Sequence, residues 1–227
     1  MSIKAVIFDL DDTLYPEIDY VKSGFGVVAA RIEERFGVNG VADKMLELFG
    51  TDRADVYGRT LAAFGIERNE AFISELAEAY RSHIPNIKLD GAAVGVLAEL
   101  GARGYKLGIL TDGRPFGQRA KIFALGLDKL VDGIIVTDEL GGEEYRKPDP
   151  KAFEFMLDRL GVAAEEAVYV GDNPNKDFAV KKYLPIKTVR IANGGFYADC
   201  ACRDGIMPDR TVKTINEIPA AVGEING

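Results

Sequence analysis

Histidine is nearly missing from this 227-residue chain, His83 being the single one. A histidine-rich zinc cluster is therefore excluded, and a Ser-His-Asp site would have to be built around that one imidazole. Cysteine is limited to Cys200 and Cys202. One residue apart, they cannot staple distant parts of a fold and are too few for a disulfide framework, which fits a reducing compartment. Nor do further soft ligands lie near them to make a metal site. An excess of base is also lacking: 28 Lys+Arg against 36 Asp+Glu give a net charge of −8. That balance repels nucleic-acid phosphates and anionic lipid, so neither is expected as a partner. The opening MSIKAVIFDLDD holds only the short apolar run Ala5 to Phe8 before an aspartate, too little for a signal peptide or a membrane span. A cytoplasmic location is expected.

What is present is an ordinary globular composition, 47% hydrophobic with 25 glycines, at a length suited to a core of roughly 150 residues plus a smaller insert. Ile3 to Phe8 is an apolar, β-branched run that ends abruptly in acid residues, the pattern of a strand buried on both faces. Similar runs follow at Lys106–Leu110, Gly133–Val136, Ala167–Val170 and Lys187–Ile191, with helical stretches such as Pro115–Leu125 and Lys151–Leu160 between them. The alternation predicts an α/β fold: a doubly wound, Rossmann-like parallel sheet with helices on both faces. From Tyr15 to about Leu89 no strand pattern occurs. Apolar residues recur there at helical spacing in Val27–Phe36, Met45–Phe49 and Phe72–Tyr80, so an all-α domain is expected at 17–84, inserted into a core made of 1–16 and 85–227.

Ligands of doubly wound sheets bind outside the carboxyl ends of the strands, so the residues just after each apolar run carry the functional information. They are Asp9, Asp11, Asp12 and Thr13 after the first strand, Thr111 and Asp112 after the second, Lys147 beyond the third, and Asp172 and Asp177 after the fourth. Taken singly each has a bland reading. Asp9-Leu10-Asp11 suits a turn or cap, Thr111 a strand-end hydroxyl, Lys147 a solvated lysine, and Gly171-Asp172 a tight strand exit. Asp149-Pro150 suits a helix start. Their joint occurrence at strand ends that the topology gathers is poorly explained by coincidence. Converging carboxylates would repel one another unless a cation sat among them, and an all-oxygen donor set suits Mg²⁺.

In this order and spacing the residues resemble the haloacid dehalogenase (HAD) superfamily of phosphohydrolases. The four motifs are FDLDDTLYPE (Phe8–Glu17), ILTDG (Ile109–Gly113), the lysine of RKPDP (Lys147) and GDNPNKD (Gly171–Asp177). The family's helical cap, inserted between the first two motifs, is similar in place and size to the segment at 17–84. The resemblance departs after the fourth motif, where AVKKYLPIKT lacks a customary glycine and Ala192–Pro208 forms a long loop.

The resemblance implies a phosphatase in which Asp9 attacks phosphorus and becomes an aspartyl-phosphate, with Asp11 as general acid and then base. It implies that Thr111, the backbone of Asp112 and Gly113, and Lys147 hold phosphoryl oxygens, with Arg114 a further candidate contact. It also implies Mg²⁺ at Asp9, Asp11 (through its carbonyl), Asp172 and Asp177, the last acting on a metal-bound water or on Lys147. Asp11 counts against dehalogenation, which needs no leaving-group acid. A phosphosugar mutase would use the same residues, and a non-catalytic regulatory member would be expected to have lost some of them. A receiver-like signalling domain would need neither Asp11 nor the insert. DDTLYPE and TDGRP look like the branch holding pyrimidine 5'-nucleotidases and N-acylneuraminate 9-phosphatases, so the expected partner is a small phosphorylated metabolite, a nucleoside 5'-monophosphate or sugar phosphate. Tyr15 and Tyr20 are candidates to line the cap interface, His83 is expected to be structural, and the chain is expected to be a monomer or homodimer.

Overall fold

The computed structural model describes residues 2–197 and 199–227, so Met1 and Ala198 lie outside the described residues. The chain divides into two compact units, Glu17–Ile87 and the remainder, Met1–Pro16 with Lys88–Gly227. The second of these is built on a six-stranded, wholly parallel sheet in the order β3-β2-β1-β4-β5-β6. Its strands are β1 (Ala5–Phe8), β2 (Lys106–Thr111), β3 (Gly133–Val136), β4 (Ala167–Gly171), β5 (Lys187–Ile191) and β6 (Arg210–Val212).

The four residues of β1 are all buried, as are those of β4. Central parallel strands are covered on both faces, which is why they read as continuous apolar runs. In register, Phe8 lies opposite Ile109 on one side and Val170 on the other. Helix α7 (Pro150–Leu160) begins as its sequence predicts: the Asp149 side chain accepts from the Lys151 amide and proline occupies the first turn. Its face of Phe153, Met156 and Leu160 packs on the sheet, with Phe153 edge-on to Tyr169 at 5.0 Å between ring centroids. Helix α6 (Pro115–Ala124) follows β2.

Three elements of this unit, two helices and a strand, lack a sequence pattern that announces them. Helix α5 (Gly91–Ala102) contains three glycines and an alanine-rich stretch with a weak apolar stripe, although Asp90 caps it by accepting from Ala93 N. Strand β6 is short and lies at the sheet edge, with only Val212 buried. Helix α8 (Ile218–Asn226) has Pro219 in its first turn, and its Asn226 side chain accepts from Ile3 N at 2.6 Å.

The other unit is all helical: α1 (Glu17–Phe36), α2 (Val41–Thr51), α3 (Val56–Ala63) and α4 (Glu70–Arg81). Val28, Ile32, Met45, Leu61 and Leu76 form its core. Helix α3 is too short for its periodicity to stand out. Helix α4 ends near His83, which is buried between Tyr20 and Tyr80 and whose Nδ1 lies 2.6 Å from the Tyr80 carbonyl.

Candidate active site

The chain leaves β1 toward β2 and β3, then returns to place β4 on the other side of β1. The strand order therefore reverses beside the carboxyl end of β1, which opens a crevice there. Asp9 follows β1 directly, and its amide donates to the Val170 carbonyl of β4 at 2.8 Å, fixing its backbone to the sheet. Asp172 follows β4. Lys147 enters ahead of α7 and donates to Asp9 Oδ1 at 2.9 Å, Asp177 Oδ1 at 2.9 Å and the Tyr169 hydroxyl at 2.7 Å. Carboxylate oxygens of Asp9, Asp172 and Asp177 lie within 4.8 Å of one another, and all three residues are buried.

Proton affinity in this cluster follows from charge counting. Burial raises the Asp9 carboxyl, Lys147 opposes it and Asp177 adds to it, leaving Asp9 raised to about 6. Asp172 is raised to about 8, by burial first and then by repulsion from Asp9 and Asp177. Burial would lower Lys147, but Asp177 and Asp9 hold it well above its ordinary range. The three carboxylates thus gather around Lys147, which is paired with two of them, and Lys176 adds a weaker positive charge. The donor set is all oxygen and short of positive charge, so it fits a hard divalent cation.

Asp11 has a different environment although it stands only two residues on. Its carboxylate lies outside the three-aspartate cluster and is gripped instead by Lys121 Nζ, 2.8 Å from each oxygen. Gln118 Nε2 donates to Oδ2 at 3.1 Å and the Tyr15 hydroxyl to Oδ1 at 2.5 Å. Burial pushes this carboxyl up, but Lys121 and the hydrogen bonds outweigh it and hold it below the usual range.

The remaining residues brace the crevice. Thr111 Oγ1 accepts from Gln118 Nε2 at 2.5 Å. Asp112 accepts from the Lys147 amide at 3.0 Å and from Lys176 Nζ at 3.0 Å. Burial raises its carboxyl, yet the two lysines carry it below the usual range. Gly113 has φ 134°, a conformation closed to other residues, and lies against the Gln118 side chain. A Cβ on Gly171 would overlap the Asp177 carboxylate, so glycine there lets Asp177 accept from the Asn173 amide at 2.9 Å and close the loop after β4. Arg114 is exposed at the start of α6.

Four residues missing from the sequence-based candidates belong to this constellation: Gln118, Lys121, Tyr169 and Lys176. Gln118 and Lys121 share one face of α6, and Tyr169 hides in an apolar strand. Their spacing carried no signal separating them from core and surface. Tyr15, considered for a cap interface, bonds Asp11. Cys200 and Cys202 are free thiols.

The profile of haloacid dehalogenase-like hydrolases matches residues 3–180, and a HAD-hydrolase-like profile matches 144–218. Glyceraldehyde 3-phosphate phosphatase of Methanocaldococcus jannaschii is 30% identical, over 95% of this chain and 95% of its own. Phosphoglycolate phosphatase of Rhodospirillum rubrum is 32% identical, over 84% of this chain and 80% of its own. The crystal structure of a HAD phosphatase from Thermococcus onnurineus superposes with a TM-score of 0.62 at 27% identity, covering 99% of this chain and 100% of that one.

Proposed function

Because the chain belongs to the haloacid dehalogenase-like hydrolase family, we propose that it is a Mg²⁺-dependent phosphatase that hydrolyses a phosphomonoester of a small metabolite through an aspartyl-phosphate on Asp9. The observation that carries this reading is the buried meeting of Asp9, Lys147, Asp172 and Asp177 at the switch point of the sheet.

A carboxylate attacks a phosphoryl group poorly unless charge is neutralised. The carboxylates of Asp9 and Asp172, with the Asp11 carbonyl, would hold Mg²⁺, which as a Lewis acid would neutralise charge on phosphoryl oxygens, and Asp177, whose oxygens accept from Lys147 and the Asn173 amide, would act on a metal-bound water or on Lys147. Lys147 adds its ammonium beside Asp9. Thr111 and the backbone of Asp112 and Gly113 orient phosphoryl oxygens, and Arg114 stands at the rim. An Asp9 oxygen forms a bond to phosphorus while the bond to the leaving oxygen breaks, its electron pair staying on that oxygen. Asp11 gives that oxygen a proton and releases an alcohol. Since Lys121 favours Asp11 as carboxylate, that proton has to be loaded when substrate enters. Water then attacks phosphorus and loses a proton to Asp11, the bond to Asp9 breaks, and phosphate leaves.

Glyceraldehyde 3-phosphate, the substrate in one relative's name, is a triose phosphate and falls within the sugar-phosphate expectation. Phosphoglycolate is neither sugar nor nucleotide, so the substrate class is widened to short phosphorylated carbon skeletons. The helical unit is proposed as the cap that selects among them. A panel of phosphorylated metabolites assayed for free phosphate with Mg²⁺ tests the reading. Release of phosphate by the parent and none by Asp9→Asn is expected, and full activity in Asp9→Asn would sink it.

A further inference from the structure

Lys121 is a lysine only 5% exposed, set in a helix whose other buried residues are few. A buried ammonium has to be paired, and this one is shared evenly between both oxygens of Asp11, 2.8 Å from each. Three residues before it on the same face of α6, Gln118 donates both to Asp11 Oδ2 and to Thr111 Oγ1, tying the loop after β1 to the end of β2. The Tyr15 hydroxyl completes the grip on Oδ1. These donors fix both oxygens of one carboxylate, while 23% of its side chain stays open. Stability alone explains this poorly, because a buried ion pair gains little over an apolar pair of the same size.

We infer that Lys121 and Gln118 form a positioning pair that holds the Asp11 side chain, apart from the Asp9 cluster, in the orientation from which it serves the leaving-group oxygen. The inference rests on the proposed phosphatase reading. It assigns α6 a part in the reaction: the helix carries no group that reacts, yet it determines where the reacting carboxylate stands. Losing the pair leaves Asp11 in place but free to rotate, so both of its proton transfers suffer, and a measurement confined to the first chemical step reads the protonation of the leaving group.

The test is kcat/KM across a series of aryl phosphates, from 2,4-dinitrophenyl to unsubstituted phenyl phosphate, at saturating Mg²⁺. This quantity reports the steps up to cleavage of the ester bond. An acidic phenol leaves without help, whereas phenol needs a proton. In Lys121→Met the loss is expected to grow from under about 3-fold with the dinitrophenyl ester to about 100-fold with phenyl phosphate, the range of general acid catalysis. Asp11→Asn should show the same steepening, the double variant no more, and Lys121→Arg should recover most of it. Gln118→Met, which keeps the buried ion pair, should steepen the series by about 10-fold and serves if Lys121→Met does not fold. A uniform loss along the series, or none, in a folded Lys121→Met would overturn the inference. If wild type releases no phosphate, or Asp9→Asn is unimpaired, it is the parent reading that fails. If Asp11→Asn steepens the series and neither α6 variant does, only the positioning role fails.

Discussion

Two aspartates separated by one leucine, each facing a lysine, end up with opposite proton affinities. Asp9 shares Lys147 with Asp177 and lies beside Asp172, and its carboxyl rises to about 6. Asp11 receives Lys121 Nζ at 2.8 Å from each of its oxygens, with two further donors, and its carboxyl falls. Burial pushes both upward. What differs is the number of like charges per cation, so the first site is short of positive charge and the second is satisfied. The Asp9 cluster has the donor set that could hold a divalent cation, whereas the Asp11 carboxylate is already paired with Lys121.

The largest expected effect breaks the Asp9 side alone. Asp9→Asn should lower phosphate release by at least about 1,000-fold, as loss of a covalent nucleophile does, while gel filtration and circular dichroism stay those of the parent. Metal removal comes next. Treatment with EDTA should abolish turnover, and saturating Mg²⁺ at about 100 times its Kd should restore it and stabilise the fold by about 2.7 kcal/mol, read as a rise of several degrees in Tm. Asp172→Asn should lose that rise, and a Tm response equal to the parent's would place the ion elsewhere.

A third experiment sets the two environments directly against each other. At pH 9 in chelator, above the value of about 8 for Asp172, that carboxylate is charged against its neighbours. A raised folded-state pKa stabilises at low pH, and that stabilisation is lost as pH rises through it. Asp172→Asn should therefore melt higher than the parent at pH 9, and Asp11→Asn lower, since it loses a paired charge. Equal signs would remove the distinction.

The smallest effect concerns Asp209, a carboxylate far along the sequence that repeats the Asp11 arrangement. It accepts from Lys181 Nζ at 2.9 Å and Thr188 N at 2.8 Å. Burial raises its carboxyl, but Lys181 and the Thr188 amide prevail and lower it. Its depressed folded-state pKa gives stability that is present above the unfolded value of about 3.9 and lost as pH falls through the lower folded value. Asp209→Asn should cost about 1–2 kcal/mol at pH 7 and much less at pH 3, measured by urea unfolding. An equal cost at both would show that charge is not what holds β6 to β5.

Much of this was legible before any coordinates. Five of the six strands announce themselves as apolar runs because most of their residues are buried, in the edge strand β3 as in the four inner ones. Asp9, Thr111, Lys147 and Asp172 stand out because strand ends are where chemistry gathers. The rest was hidden for physical reasons. β6 is an edge strand of three residues, α3 is two turns long, and α5 is built of glycine and alanine. Gln118 and Lys121 sit in a helix where a polar face means solvent far more often than a partner 107 or 110 residues away. Tyr169 reads as one more apolar residue until its hydroxyl meets Lys147.

The sequence by itself determined the alternation of strands and helices, the insertion after β1, and the residue types at the strand ends, because periodicity and local propensity act over a few neighbouring residues. Only the tertiary structure decided which cation faces which carboxylate. Lys147 is marked by its motif and Lys121 is not, but which aspartate each one meets follows from the crossover that lays β4 beside β1 and from the face of α6 that turns toward Asp11. Electrostatic energy depends on distances through space, and these are set when the sheet closes its ranks.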